Sequence, residues 1–261
     1  MHPSHYIFVP LAGFLVGALV SATGIGGGLF LLPLQVLGLG ISPIVAVGSD
    51  IGFMFFTKLW ASFMHGRRGN VDWPLVRSLA SGSVPGSLVG IALLSYLRMR
   101  WGDGVNGFLR ILIGLLLVAL PVFILIMDRL NQRIAADPDP ALNVQDDSRR
   151  KAQIIGLLGG FFVGLTSVGS GSIIILLLFT FYRRPATVLV GSDILHGVIL
   201  SGVLGIIHLH MGTMDLRLVG LLMAGSAFGV IYGTKVTNVI PAVWLRRAIL
   251  LLLIPLGIQM I

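Results

Sequence analysis

Six residues, Thr23-Gly24-Ile25-Gly26-Gly27-Gly28, constrain this chain more than any others. They sit inside an uncharged apolar run from Ile7 to Leu39. A glycine in a helix interior costs about 1 kcal/mol relative to alanine, so four in six residues unwind a helix. Unwound backbone at membrane depth survives only where it is buried in protein or lines a polar cavity. The interruption recurs in the first apolar run after the central polar stretch, as Thr166-Ser167-Val168-Gly169-Ser170-Gly171-Ser172. Matching interruptions in two halves of a membrane chain point to a transporter's binding site.

Composition places these runs in a bilayer. The chain has 261 residues, of which 56% are hydrophobic and 11% charged, with mean hydropathy +0.97. A soluble domain carries about 25% charged residues. Segments rich in Leu, Ile, Val and Gly argue for helices rather than for the alternating strands of a barrel. The net charge of +8 comes from arginines in short loops at membrane edges, a topology signal that implies no nucleic acid. With no cysteine, disulfides, thiolate catalysis and Cys metal sites are excluded. Met1 to His5 lack the basic residues of a signal peptide, so the N-terminus is expected to be retained.

Sliding the sequence by 143 positions aligns two halves without a gap from Ser21 to Gly90, with 20 identities in 70 positions. Thr23, Gly26 and Gly28 meet Thr166, Gly169 and Gly171. Gly48-Ser49-Asp50-Ile51 meets Gly191-Ser192-Asp193-Ile194. His65, Gly69 and Asp72 meet His208, Gly212 and Asp215, and Gly82-Ser83 meets Gly225-Ser226. Chance apolar matches do not produce shared polar positions. The expected organisation is a first repeat over 1–127, a polar cytoplasmic linker over 128–151 that holds Pro138 and Pro140, and a second repeat over 152–261. Spans are expected at Val45–Met64, Leu75–Leu97, Phe108–Met127, Ala186–Ile207, Leu216–Val236 and Ala242–Met260. About 20 residues cross roughly 30 Å.

Arginine and lysine placement bears on topology. If each broken element crosses fully, the loop cations divide eight against eight. If each is a re-entrant hairpin, Arg98, Arg100, Arg110 and Arg217 fall on one face and the other twelve on the opposite face. Cations collect on the cytoplasmic side, so the hairpin arrangement is favoured. The expectation is an all-α integral membrane protein of two inverted repeats, each a Gly-rich re-entrant helix plus three transmembrane helices, with both termini outside.

Several residues could carry chemistry. A helix N-terminus offers free N–H groups and a partial positive charge that suit an anion. Gly26, Gly27 and Gly28 begin the returning half-helix of the first hairpin, and Gly169, Ser170, Gly171 and Ser172 that of the second. Two such tips facing each other would form an anion pocket, with Thr23, Gly24, Ser49, Thr166, Ser167 and Ser192 adding donors or close backbone approach. The competing reading is close helix packing by small residues. Asp50 and Asp193 lie early in spans, where charges are expensive and usually functional. Either could carry a coupling proton or hydrogen-bond at a membrane edge. Lys58, eight residues after Asp50, could pair with it, snorkel or hold an anion, and Ser201 occupies its matching position. His196 shares a face with Asp193, a pairing that could relay a proton. The two His-xxx-Gly-xx-Asp segments lack further ligands beside them, so Asp72 and Asp215 are read as helix caps rather than metal ligands. No hydrolase, zincin or nucleotide-binding signature is present, and no cofactor or metal is expected.

The ordered series Gly24-Ile25-Gly26-Gly27-Gly28, Pro33, Gly48-Ser49 and His65-xxx-Gly69-xx-Asp72, with its duplicate, resembles the sulfite exporter TauE/SafE family from Leu11 to the end. The resemblance implies a secondary carrier in a prokaryotic inner (plasma) membrane that exports sulfite, sulfonates or related sulfur anions, driven by the proton-motive force. It departs from the pattern where Ser167 and Ser170 stand for Gly24 and Gly27, so the two tips are not equivalent. The alternatives are an anion channel with the same pocket, and an intramembrane enzyme or structural subunit. Glycine-rich faces would permit a homodimer.

Overall fold

A computed structural model describes residues 7–23, 27–67, 69–136, 149–169, 171–182, 184–236 and 242–261. Among them every regular element is helical. The helices are α1 (Val9–Thr23), α2 (Gly28–Pro33), a π-helical turn (Leu34–Gly38), α3 (Pro43–Arg67), α4 (Trp73–Trp101), α5 (Gly104–Ala136), α6 (Arg149–Thr166), α7 (Ile173–Phe181), α8 (Ala186–His210), α9 (Leu216–Val236) and α10 (Ala242–Met260). Four apolar stretches are long enough to cross a bilayer: Pro43–Arg67, Trp73–Trp101, Gly104–Phe123 and Thr187–His210. Large apolar side chains such as Phe8, Trp60, Val89, Leu115, Phe228 and Ile231 face outward. That surface suits lipid, and the chain is a multi-pass membrane protein.

The glycine breaks stop helices as expected. α1 ends before the first and α2 begins at Gly28; α6 ends at Thr166 and α7 begins at Ile173. The polar stretch at 128–151 is more helical than the sequence predicts. α5 runs on to Ala136 and α6 starts at Arg149. Asp128 to Ala136 contains neither proline nor glycine, so nothing there breaks the helix. The middle of that stretch lies outside the described residues.

Glycine stripes fix the packing. On α1, Gly13 and Gly17 sit against the backbone of Leu222 and Ser226 on α9, while Gly225 and Gly229 sit against Pro10 and Phe14. On α6, Gly156 and Gly160 sit against Leu79 and Ser83 on α4, while Gly82 and Gly86 sit against Gln153 and Leu157. Every contact of one set becomes a contact of the other through the 143-residue offset. The first helix of each half therefore packs on the fourth helix of the other half, α1 on α9 and α6 on α4. Small residues permit this backbone-to-backbone approach. Residue numbers rise together along both pairs, so the paired helices are parallel. α5 and α10 meet at Gly114 and Gly257, again 143 apart; a methyl group on either would lie 2.7 Å from the other's carbonyl oxygen. The glycine-rich faces thus find partners inside the chain.

α3 and α8 form the centre. The Asp215 N–H donates to Ser49 Oγ at 3.1 Å, and the Asp72 N–H donates to Ser192 Oγ at 2.8 Å. The start of each helix is thereby held near the end of the other, and the two run antiparallel. The His-xxx-Gly-xx-Asp segments build the turns that make this possible. Gly69 and Gly212 are left-handed, with φ of 70° and 64°. The Asp72 carboxylate accepts from the Leu75 N–H at 3.2 Å, and Asp215 accepts from the Leu218 N–H at 3.0 Å. Both aspartates cap helices, and no cluster of metal-binding side chains exists among the described residues.

Candidate functional site

Both breaks converge on one carboxylate. Asp50 is fully buried on α3. Ser167 Oγ, in the second break, donates to its Oδ2 at 2.7 Å. Gly28, the first residue of α2, lies against the same oxygen: a methyl group there would sit 2.8 Å from Asp50 Oδ2 and 3.6 Å from the Ser167 carbonyl oxygen. Gly28 tolerates that approach because it has no side chain. Asp50 Oδ1 is buried with no hydrogen bond among the described residues.

Ser167 reaches Asp50 through a strained backbone. Its φ is 59°, the one left-handed non-glycine value among the described residues. Left-handed geometry costs an L-residue about 1–2 kcal/mol, and the matching position in the first half is Gly24. The serine keeps the turn and adds a hydroxyl aimed at the carboxylate. Thr166 Oγ1 steadies the turn by accepting from the Val168 N–H at 3.2 Å. Gly169 follows at φ 125°, and its carbonyl gathers the N–H groups of Gly171 at 2.8 Å, Ser172 at 3.4 Å and Ile174 at 3.3 Å. In the first break, the Gly27 carbonyl accepts from Phe30 and Leu31 at 3.0 and 2.9 Å. Gly24, Gly26 and Ser170 lie outside the described residues, as does the side chain of Thr23.

A charged series continues from Asp50 through the core. Lys58, half-buried on α3, interacts electrostatically with both Asp50 and Asp193. Its ammonium nitrogen and the last two methylenes lie against Gly197 of α8, where a methyl group would meet Nζ and, at 2.6 Å, Cδ. Asp193 and His196 are buried on the same helix. His196 Nε2 lies 2.6 Å from Ser83 Oγ on α4. Three helices are thus joined by Asp50, Lys58, Asp193, His196 and Ser83. The expected Asp193–His196 pairing is replaced in part: the histidine's partner is Ser83, while Asp193 faces Lys58.

Ser49 and Ser192 are buried and accept the loop N–H groups of Asp215 and Asp72. Ser83 and Gly197 were not singled out as site residues. Ser83 had a signal, the shared Gly82-Ser83 and Gly225-Ser226; Gly197 had none, because its role depends on which helix faces α3. His208 Nδ1 bonds Thr213 Oγ1 at 2.7 Å. Gln35, in the π-helical turn, is fully buried with neither amide atom hydrogen-bonded. Its matching position is Leu178.

Comparison with known proteins bears on the whole chain. Residues 9–260 match the family described as Sulfite exporter TauE/SafE. A probable membrane transporter protein, YjnA of Bacillus subtilis, is 32% identical over 88% of this chain and 90% of its own length. YdhB of the same organism, also a probable membrane transporter protein, is 26% identical over 94% of this chain and 96% of its own. The probable sulfite/organosulfonate exporter TauE of Cupriavidus necator is 26% identical over 69% of this chain and 63% of its own. No solved structure matches.

Proposed function

Because the chain belongs to the sulfite exporter TauE/SafE family, it is a membrane transporter and not an enzyme, and we propose that it exports a small sulfur-containing anion, sulfite or an organosulfonate. It works as a secondary carrier in the inner membrane of a prokaryote, driven by the proton-motive force. The observation that carries this reading is the meeting of the two glycine-rich breaks at Asp50. Gly27, Gly28, Thr166, Ser167, Gly169 and Gly171 line the substrate position, and Thr23, Gly24, Gly26 and Ser170 are assigned to it from the sequence alone. Ser49 and Ser192 act at one remove, by fixing the loops. Asp50, Lys58, Asp193 and His196 carry the charge that couples transport to protons.

The architecture we propose is a pair of inverted repeats. The packing supports it: α1 is parallel to α9, α6 is parallel to α4, and α3 is antiparallel to α8. Short connections make α4 antiparallel to α3 and α9 antiparallel to α8. It follows that α1 and α6 run in opposite directions, as do the other matched helices. α1 and α3 then run the same way, so the segment between them must turn back. At 1.5 Å per residue the 15 residues of α1 extend only about 22 Å, less than the roughly 30 Å of a bilayer core, as a re-entrant hairpin requires. Twelve of sixteen loop cations then lie with the linker on the cytoplasmic side, and both termini lie outside. Rocking of one repeat against the other would expose the breaks alternately.

The test is uptake into vesicles holding the purified protein, with sulfite, sulfoacetate, sulfate and chloride compared. Saturable, selective flux of a sulfur anion, lost in Gly27→Leu, is the expected result. Flux that never saturates and moves no protons would make the protein a channel. No flux of any sulfur anion would overturn the reading.

A further inference from the structure

An anion that reaches the two breaks meets Asp50. The carboxylate is the point on which Gly28 and Ser167 converge, and its second oxygen is buried with no hydrogen bond among the described residues. Two unit negative charges about 4 Å apart, at an effective dielectric constant of about 20, repel enough to weaken binding roughly a thousandfold. Lys58 offsets this incompletely, because it serves Asp193 as well as Asp50. The other polar groups on the elements packed against α3 do not remove the repulsion. Ser167 donates one hydrogen bond. On α8, Asp193 adds negative charge, His196 is held by Ser83 and His208 by Thr213. At the start of α9, Asp215 has its carboxylate on the Leu218 N–H. On α5, Asn106 Oδ1 accepts from Ile44.

A proton on Asp50 removes the repulsion, frees more of the Lys58 field for the substrate, and turns an acceptor into a donor. Proton and anion therefore favour each other's binding, and that coupling is reciprocal. Antiport requires the opposite, competition between the two. Resting on the transport reading above, we propose that Asp50 is a proton site that must be filled before the anion binds, so that proton and anion cross together in the same direction.

The direction of net transport then depends on substrate charge. A dianion carried with one proton moves one net negative charge. A potential negative inside favours its exit by about fiftyfold per 100 mV, against about tenfold per unit of pH gradient for the proton that leaves with it, so export draws on the electrical component of the proton-motive force. A monoanion carried with one proton is electrically neutral and responds only to the pH gradient, which draws it inward. An exporter built this way favours dianions, such as fully ionised sulfite or a sulfonate bearing a second acidic group.

The experiment uses sulfoacetate, whose two acidic groups are both ionised above about pH 6. Calorimetry on the purified protein should give a Kd that rises with pH between pH 6 and pH 8, approaching tenfold per pH unit once Asp50 of the free protein is ionised, the limit for one linked proton. Asp50→Asn should lose that slope. In vesicles preloaded with sulfoacetate and a trapped pH dye, with the potential clamped, efflux should raise the luminal pH. A wild-type Kd independent of pH, or a lumen that acidifies on efflux, would overturn co-transport while leaving the anion site standing. Failure of both sulfoacetate and sulfite to bind at any pH would overturn the site, and co-transport with it. The wild-type slope and the luminal signal decide the matter even where the variant does not fold.

Discussion

Gly225 and Gly220 lie five residues apart on α9 and should respond to alanine in opposite directions. A methyl group on Gly225 would meet the Pro10 carbonyl carbon at 2.7 Å and the Phe14 nitrogen at 2.9 Å, besides a closer contact with the Pro10 oxygen. Carbon contacts relax at about 3.5–4.0 Å, so α1 would have to withdraw by roughly 1 Å. Overpacking of this kind costs about 1–3 kcal/mol. The intrinsic helix preference of alanine returns about 1 kcal/mol, which leaves a net loss of up to about 2 kcal/mol. Gly220 is exposed and a methyl group there has nothing within 4 Å, so only the gain of about 1 kcal/mol remains. The two variants should differ by roughly 2 kcal/mol. Unfolding of the purified protein in mixed micelles with rising dodecyl sulfate, followed by circular dichroism, measures this. Equal shifts, or a more stable Gly225→Ala, would refute the packing argument. Gly82→Ala should repeat the loss seen for Gly225→Ala, because its methyl group would meet Gln153 in the same way, 2.8 Å from the carbonyl carbon.

Other variants probe the site and the loops. Ser167→Ala keeps the left-handed backbone and loses a hydrogen bond to a carboxylate, which should lower stability by about 1.5–3 kcal/mol. Ser167→Gly relieves about 1–2 kcal/mol of strain, so its melting temperature should fall less; a larger fall for glycine would contradict the strain assignment. Asp72→Ala and Asp215→Ala each remove a helix cap and should cost a similar amount, about 0.5–2 kcal/mol, read in the same unfolding assay. Gln35→Leu removes a buried amide with no partner and should raise stability by about 1–3 kcal/mol. Thermal unfolding that shows a loss instead would mean the amide is satisfied.

The sequence carried the fold further than the site. Repeated glycines marked both helix breaks, and the 143-residue offset marked which helices correspond. Asp72 and Asp215 were legible as caps from their place before apolar runs, and the capping bonds are present. The offset did not reveal that matched elements pack across the halves, since the same sequence identities suit side-by-side repeats. That ambiguity explains Ser49 and Ser192. Each was read as a donor near a break, and each also accepts a loop N–H of the opposite half, a bond that the repeat could not show. The place of Asp50 between the breaks was equally hidden, because the contact joins residues 117 positions apart.

The crossed packing of the halves has a consequence for how the protein is made. When α1 enters the membrane, its groove at Gly13 and Gly17 has no occupant until α9 has been synthesised near the other end of the chain. α4 waits in the same way for α6. The N-terminal half therefore spends much of its synthesis as an unsealed surface that quality-control proteases can recognise. A nascent chain stalled after α5 is half of a clasp, not a finished module. By the same reasoning, two fragments cut between 137 and 148 carry complementary grooves. Made together in one cell, they should close on each other in the bilayer, whereas either alone should be cleared.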